Sequence, residues 1–138
     1  MNMRRLLIIG CGDVALRAVK RFLPACRIYA LTHTPTRAKD LRLLGITPLV
    51  GDLDHPASLT KLAGIAHCVM HFAPPQTSGD IDQRTHNLLA ALDRGEIVPQ
   101  RLVYISTTGV YGNCDGHWVE ETRPPHPTTS RAKRRLSA

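Results

Sequence analysis

The sequence predicts a doubly wound α/β domain with a parallel sheet in three αβα layers, and three observations carry that prediction. Short β-rich apolar runs alternate five times with helical patterns. The first run ends in four consecutive apolar residues, as a strand covered on both faces requires. A glycine turn joins that strand to the first helix. Alternation of this kind means right-handed βαβ crossovers and helices on both sides of one sheet.

Each element has its own signal. Arg4 to Ile9 (RRLLII) is the first strand. Val14 to Leu23 carries Ala15, Ala18, Val19 and Phe22 at helical spacing and stops at Pro24. Arg27 to Leu31 (RIYAL) is the second strand. The helix expected over Thr36 to Leu44 takes Thr36 as its N-cap and closes at Gly45. Ile46 to Val50 is a third strand running into Gly51-Asp52, and Ser58 to Leu62 a short helix. Cys68 to Ala73 (CVMHFA) is a fourth strand, stopped by Pro74-Pro75. Asp80 to Arg94 is the longest helical pattern, with Ile81, Leu88, Leu89 and Leu92 on one face and Gly95 behind it. Leu102 to Ser106 (LVYIS) is the fifth strand. From Gly109 onward Gly, Pro and Thr predict mainly loop, with a last helix beginning at Ser130.

Composition narrows the function classes. The 138 residues make one domain, 43% apolar and 21% charged, with material for one core. Aromatics at 4% argue against a stacking platform for single-stranded nucleic acid. No apolar run approaches the roughly 18 residues of a membrane helix, and Leu6 to Ile9 is too short for a signal peptide. A cytoplasmic protein without a membrane partner is expected. Net charge is 18 − 11 = +7; five of the cations (Arg123, Arg131, Lys133, Arg134, Arg135) fall after residue 122, with no acid among them. That tail reads as a solvated helix face rather than a nucleic-acid footprint. Cys11, Cys26, Cys68 and Cys114 are too far apart for a zinc or redox pair, and Cys114 with His117 supplies only two ligands, so no metal is expected.

Gly10-Cys11-Gly12-Asp13-Val14-Ala15 fits G-x-G-x-x-A between strand and helix. Gly10 allows the tight turn, Gly12 admits a pyrophosphate to the backbone, and Ala15 lets the helix pack closely. The N–H groups of the first helical turn, at Asp13 and Val14, face the phosphates. The second strand then decides the nucleotide. An acid there would hold the ribose 2′-hydroxyl of NAD, but this chain reads Thr32-His33-Thr34-Pro35-Thr36-Arg37, with no acid before Asp40. Hydroxyls and an arginine suit a 2′-phosphate, so NADP is preferred, with NAD as second choice. Arg37 as a merely solvated first-turn residue is the competing reading.

With these motifs in order, the chain resembles the N-terminal half of the extended short-chain dehydrogenase/reductases, the NAD-dependent epimerase/dehydratase family, whose cofactor domain is a Rossmann fold. Gly10 to Ala15, Gly51-Asp52-Leu53, Phe72-Ala73-Pro74 and Tyr104-Ile105-Ser106-Thr107-Thr108-Gly109-Val110-Tyr111-Gly112 carry the likeness. It implies that Asp52 and Leu53 lie beside the adenine, and that Phe72, Ala73 and Pro74 line the ribose and nicotinamide side. It also places Thr107 where the family keeps the Ser or Thr that hydrogen-bonds substrate. A turn cap at Asp52, a core role for Phe72 and a strand-end role for Thr107 are the plainer alternatives.

The departures matter as much. The family's usual G-x-x-G-x-x-G is one residue shorter here, with Ile9 at the first glycine's place. The catalytic Y-x-x-x-K is missing: the frame from Pro127 puts Arg131 at the tyrosine and Arg135 at the lysine. Arginine is always protonated and cannot accept the proton that oxidation of an alcohol releases. The likeness therefore implies two alternatives, an atypical oxidoreductase acting on a carbonyl, alcohol or nucleotide-sugar substrate, or a non-catalytic NAD(P)-binding sensor. The family's chains also continue into a substrate-binding region, so this one reads as a domain truncated after about five strands, without that region. An exposed sheet edge leads one to expect a homo-oligomer, and the helix at Asp80 to Arg94 resembles the family's dimer helix, with apolar residues that all face the sheet as the alternative.

Overall fold

The structure is a computed structural model and describes residues 3–138. The chain forms two compact units, one of residues 3–74 and Asn87–Ile105, the other of Pro75–His86 and Ser106–Ala138.

The first unit holds the sheet. Its elements are β1 (Arg4–Ile9), α1 (Asp13–Phe22), β2 (Cys26–Thr32), α2 (Pro35–Leu43), β3 (Thr47–Val50), a 3-10 helix over Pro56–Leu62, β4 (Cys68–His71), most of α3 (Gln83–Leu92) and β5 (Arg101–Tyr104). All neighbours are parallel and the order is β3-β2-β1-β4-β5. This is the doubly wound Rossmann order that the alternation predicts.

Strand β1 shows why the sheet must be covered twice. Leu6 and Ile8 join one cluster with Ala15 and Val19 of α1 and Leu41 of α2. Leu7 and Ile9 face the opposite way, against Leu59, Leu62, Leu88 and Leu92. Successive side chains of a strand point to opposite faces, so four apolar residues in a row need an apolar layer on each side. Full burial of each is worth about 2 kcal/mol. By contrast β5 is, among the described residues, an edge strand paired with β4, and its Leu102 and Val103 remain substantially exposed.

Several expected boundaries shift for identifiable reasons. The cap of α2 is Thr34, not Thr36, because Pro35 occupies the first helical position, where its missing N–H costs nothing. Strand β4 stops at His71 instead of Ala73, since the N–H groups of Phe72 and Ala73 both turn onto the carbonyl of Ile9, at 2.7 and 3.1 Å. The short helix expected from Ser58 is a 3-10 helix beginning at Pro56. The expected single apolar face of α3 is corrected too. Leu88, Ala91 and Leu92 are buried, whereas Leu89 is exposed, rotated about 100° from Leu88.

In the second unit, α3 starts at Gln83 rather than Asp80, because the buried Asp82 caps it. Its carboxylate accepts from the Thr85 N–H at 3.0 Å and from the Thr85 hydroxyl at 2.7 Å. Ile81 precedes the helix and is exposed, so it too leaves the expected apolar face. The segment after Gly109 is less irregular than expected. A 3-10 helix covers Thr108–Tyr111, and α4 spans Ser130–Ser137, capped by the Thr129 hydroxyl on the Ala132 N–H. Arg134 Nη1 donates to the Gly79 carbonyl at 2.5 Å, Ser137 Oγ accepts from the Asp82 N–H at 2.7 Å, and Lys133 pairs with Asp80 at 3.4 Å. Asp80 is held below the usual carboxylate range, first by a hydrogen bond from Ser130 and then by the Lys133 charge. Among the described residues no helix is long and apolar enough to cross a membrane.

Candidate functional site

Strand order reverses between β1 and β4, and the crevice at the carboxyl ends of these strands is where doubly wound sheets bind ligands. Gly10 sits there with φ +81°, a conformation that side chains rarely adopt. A Cβ on Gly10 would lie 2.4 Å from the Ala73 nitrogen and 2.7 Å from its Cα. The bend that brings Phe72 and Ala73 onto Ile9 therefore demands a glycine. Gly12 differs. It is extended, it is the N-cap of α1, and a Cβ on it would meet nothing within 4 Å. No side chain caps this helix, so its first-turn amides, from Asp13 and Val14 onward, have no partner from a cap. The Asp13 carboxylate is engaged with Arg17 at 3.0 Å on the exposed face.

The β2–α2 residues converge on the same turn. Arg37 Nη2 donates to the carbonyl of Cys11 at 3.1 Å, and its Nη1 lies 3.8 Å from Asp40. The guanidinium is thus partly exposed and tied to the glycine turn. Thr32 is buried and its hydroxyl meets the backbone of Thr34 at 3.4 Å, shaping the exit from β2. Burial pushes the Cys11 thiol above its ordinary pKa, and the Arg37 charge opposes this in part. That thiol is not an activated nucleophile.

Asp52 accepts from the Asp54 N–H at 2.9 Å and lies 3.1 Å from His55 Nδ1, so it caps the turn before the 3-10 helix. The Asp54 amide is the main reason its carboxyl sits below the usual range, with His55 assisting against desolvation. Leu53 is buried in the core, and its carbonyl accepts from Asn87 Nδ2 at 2.8 Å. Phe72 packs on the α1 side of the sheet, Ala73 is buried on the other side, and Pro74 is exposed. Asn87, which fixes the loop carrying Asp52 and Leu53, was not foreseen. Its signal was a lone amide immediately before the buried Leu88.

In the second unit the Thr107 hydroxyl accepts from the Gly109 N–H at 3.3 Å and caps the 3-10 helix over Thr108–Tyr111. Its own proton remains for an acceptor. On α4, Arg131 is exposed and Arg135 partly buried, while Ala132 and Arg134 turn inward.

The fold defines a Rossmann-type αβα domain with its crevice at the reversal of strand order. Its structural neighbours are NAD-dependent epimerase/dehydratase and other short-chain dehydrogenase/reductase structures. A candidate epimerase of Burkholderia cenocepacia is 25% identical, with a TM-score of 0.83 over 97% of this chain and 47% of that one. The UDP-glucose 4-epimerase of Thermus thermophilus, solved with NAD, is 24% identical at a TM-score of 0.76, over 96% and 48% of the two chains. The uronate dehydrogenase of Agrobacterium tumefaciens is 18% identical at a TM-score of 0.73, over 99% and 53%. This chain thus spans about half the length of the proteins it matches. No protein-family model and no curated sequence matches it.

Proposed function

We propose that this chain binds NAD(P), with NADP preferred, as the cofactor domain of an epimerase/dehydratase-like oxidoreductase whose substrate is a carbonyl, alcohol or nucleotide sugar. One observation carries the reading. The uncapped N-terminus of α1 opens at the strand-order reversal beside a glycine with vacant space around its Cβ position, and Arg37 is tied to that turn. Helix amides and the positive end of the helix dipole suit a pyrophosphate. Arg37, with Thr32 and Thr34, would hold a ribose 2′-phosphate. Asp52 and Leu53 would border the adenine, and Phe72, Ala73 and Pro74 the nicotinamide side. The T. thermophilus neighbour with NAD supports the nucleotide but does not choose between NAD and NADP.

The bound nicotinamide would supply hydride chemistry. The Thr107 hydroxyl could donate to a substrate oxygen, and neither Arg131 nor Arg135 can act as the base. That absence supports a second reading, a non-catalytic NAD(P) sensor. Nicotinamide turnover by the natural chain would sink the sensor, whereas turnover appearing only in Arg131→Tyr with Arg135→Lys would favour it. The primary test is calorimetric titration with NADPH and then NADH. NADPH should bind at least tenfold tighter, about 1.4 kcal/mol. Tighter NADH removes the Arg37 reading, and silence with both removes the site.

A further inference from the structure

The amino end of the same sheet carries a second constellation, outside the dinucleotide crevice. Arg4 opens β1, Cys68 opens β4 and Arg101 opens β5, with His67 and Gln100 immediately before the latter two. Because β4 lies between β1 and β5, the two arginine-bearing strands are only two strand spacings apart, about 10 Å. Arg4, His67, Cys68, Gln100 and Arg101 line a cavity of ≈ 230 Å³.

Its chemistry is one-sided. His67 Nδ1 accepts from the Arg5 N–H at 3.2 Å, and the His67 backbone N–H donates to the Arg5 carbonyl at 3.0 Å. With Nδ1 used as an acceptor, the neutral imidazole carries its proton on Nε2 and is a donor there. The Gln100 N–H donates to the His67 carbonyl at 2.8 Å, which fixes these two residues side by side. The lining residues therefore carry two guanidinium groups, an imidazole N–H and a carboxamide, and no carboxylate, while Cys68 packs against the core. Among the described residues neither Arg4 nor Arg101 has an acidic partner. Strand register thus holds two uncompensated cations around one concavity.

We propose that this cavity is an oxyanion site taking a single phosphate group, either inorganic phosphate or the phosphate of a small monoester. Two arginine forks and an imidazole N–H can surround the oxygens of a tetrahedral dianion, and guanidinium matches phosphate bidentately. The volume holds one such group and excludes a dinucleotide. The site is also remote from the glycine turn, since β1 has six residues and its ends lie about 20 Å apart.

The test is calorimetry of the intact chain with sodium phosphate and with glycerol 3-phosphate, at constant ionic strength balanced by sodium chloride. The His67 imidazole nitrogens are followed by NMR in parallel. Saturable one-site binding is expected, with a shift at His67 Nε2. Arg4→Gln and Arg101→Gln, both at exposed positions, should each weaken it at least tenfold while far-UV circular dichroism and Tm stay unchanged. A tighter ester names an esterified ligand, a tighter inorganic ion names free phosphate, and either supports the site. No saturable heat overturns it. So does binding that survives both arginine variants but disappears in Gly12→Asp, which would place the anion at α1. A short duplex oligonucleotide losing more affinity than phosphate in the two arginine variants would make the patch a nucleic-acid contact, and would also overturn it.

Discussion

The two ends of the sheet both gather N–H groups, but they do so with different parts of the chain. At the carboxyl end the donors are backbone amides of adjacent residues, from Asp13 and Val14 onward, left open because a helix begins without a side-chain cap. At the amino end they are side chains from Arg4, His67, Gln100 and Arg101, brought together only by strand pairing. A backbone cradle is rigid and fails through its glycines. A side-chain cradle is adjustable and fails through its charges. Substitutions at the amino end should therefore cost affinity alone, whereas at the carboxyl end Gly10 carries stability and Gly12 affinity.

The largest effect is expected at Gly10. A Cβ there meets the Ala73 backbone at 2.4 Å from a left-handed φ, so Gly10→Ala should lose about 3 kcal/mol in urea unfolding. A loss below about 1 kcal/mol would mean the turn is far softer than the geometry implies. Next comes Gly12→Asp. The new carboxylate caps α1 and competes with phosphate for the same amides, so NADPH affinity should fall about a hundredfold, or about 2.7 kcal/mol. Stability should move by only a few tenths of a kcal/mol. Equal losses of binding and stability would erase the contrast between Gly10 and Gly12. Arg37→Gln should weaken NADPH about tenfold and leave NADH within about twofold, because only NADPH carries the 2′-phosphate. A parallel loss for both would show that Arg37 serves the turn through Cys11 and not the ligand. The smallest effect belongs to Asp52. Its carboxyl is held below the usual range by the Asp54 amide, so its contribution is present above the unfolded pKa and lost as pH falls through the folded one. Asp52→Asn should therefore lower stability slightly at neutral pH and flatten the acid side of the curve, the two proteins converging below about pH 4.

What the sequence disclosed follows the same division. Strands β1, β2 and β4 were legible because they are covered on both faces and read as continuous apolar runs. Gly10 and Gly12 were legible because the turn they form is local. The α3 boundary was not, since Asp82 caps by folding its carboxylate onto Thr85 while Ile81 prolongs the apolar pattern outside the helix. The tie from Arg37 to Cys11 spans 26 residues and that from Asn87 to Leu53 spans 34, distances over which no residue spacing predicts contact. The phosphate cavity is the extreme case, for its members come from three strands.

The place of β1 in the strand order also sets a timetable for synthesis. Its pairing with β2 begins at Arg4↔Cys26, but its other edge is met by Cys68 to His71, and β5 follows only at Arg101. On the ribosome the first three strands can therefore assemble while the most apolar strand still has one open side. Until residue 71 has emerged, that side is a template for any extended chain nearby. Nascent chains arrested after β3 should recruit ribosome-associated chaperones, and chains arrested after β5 should release them.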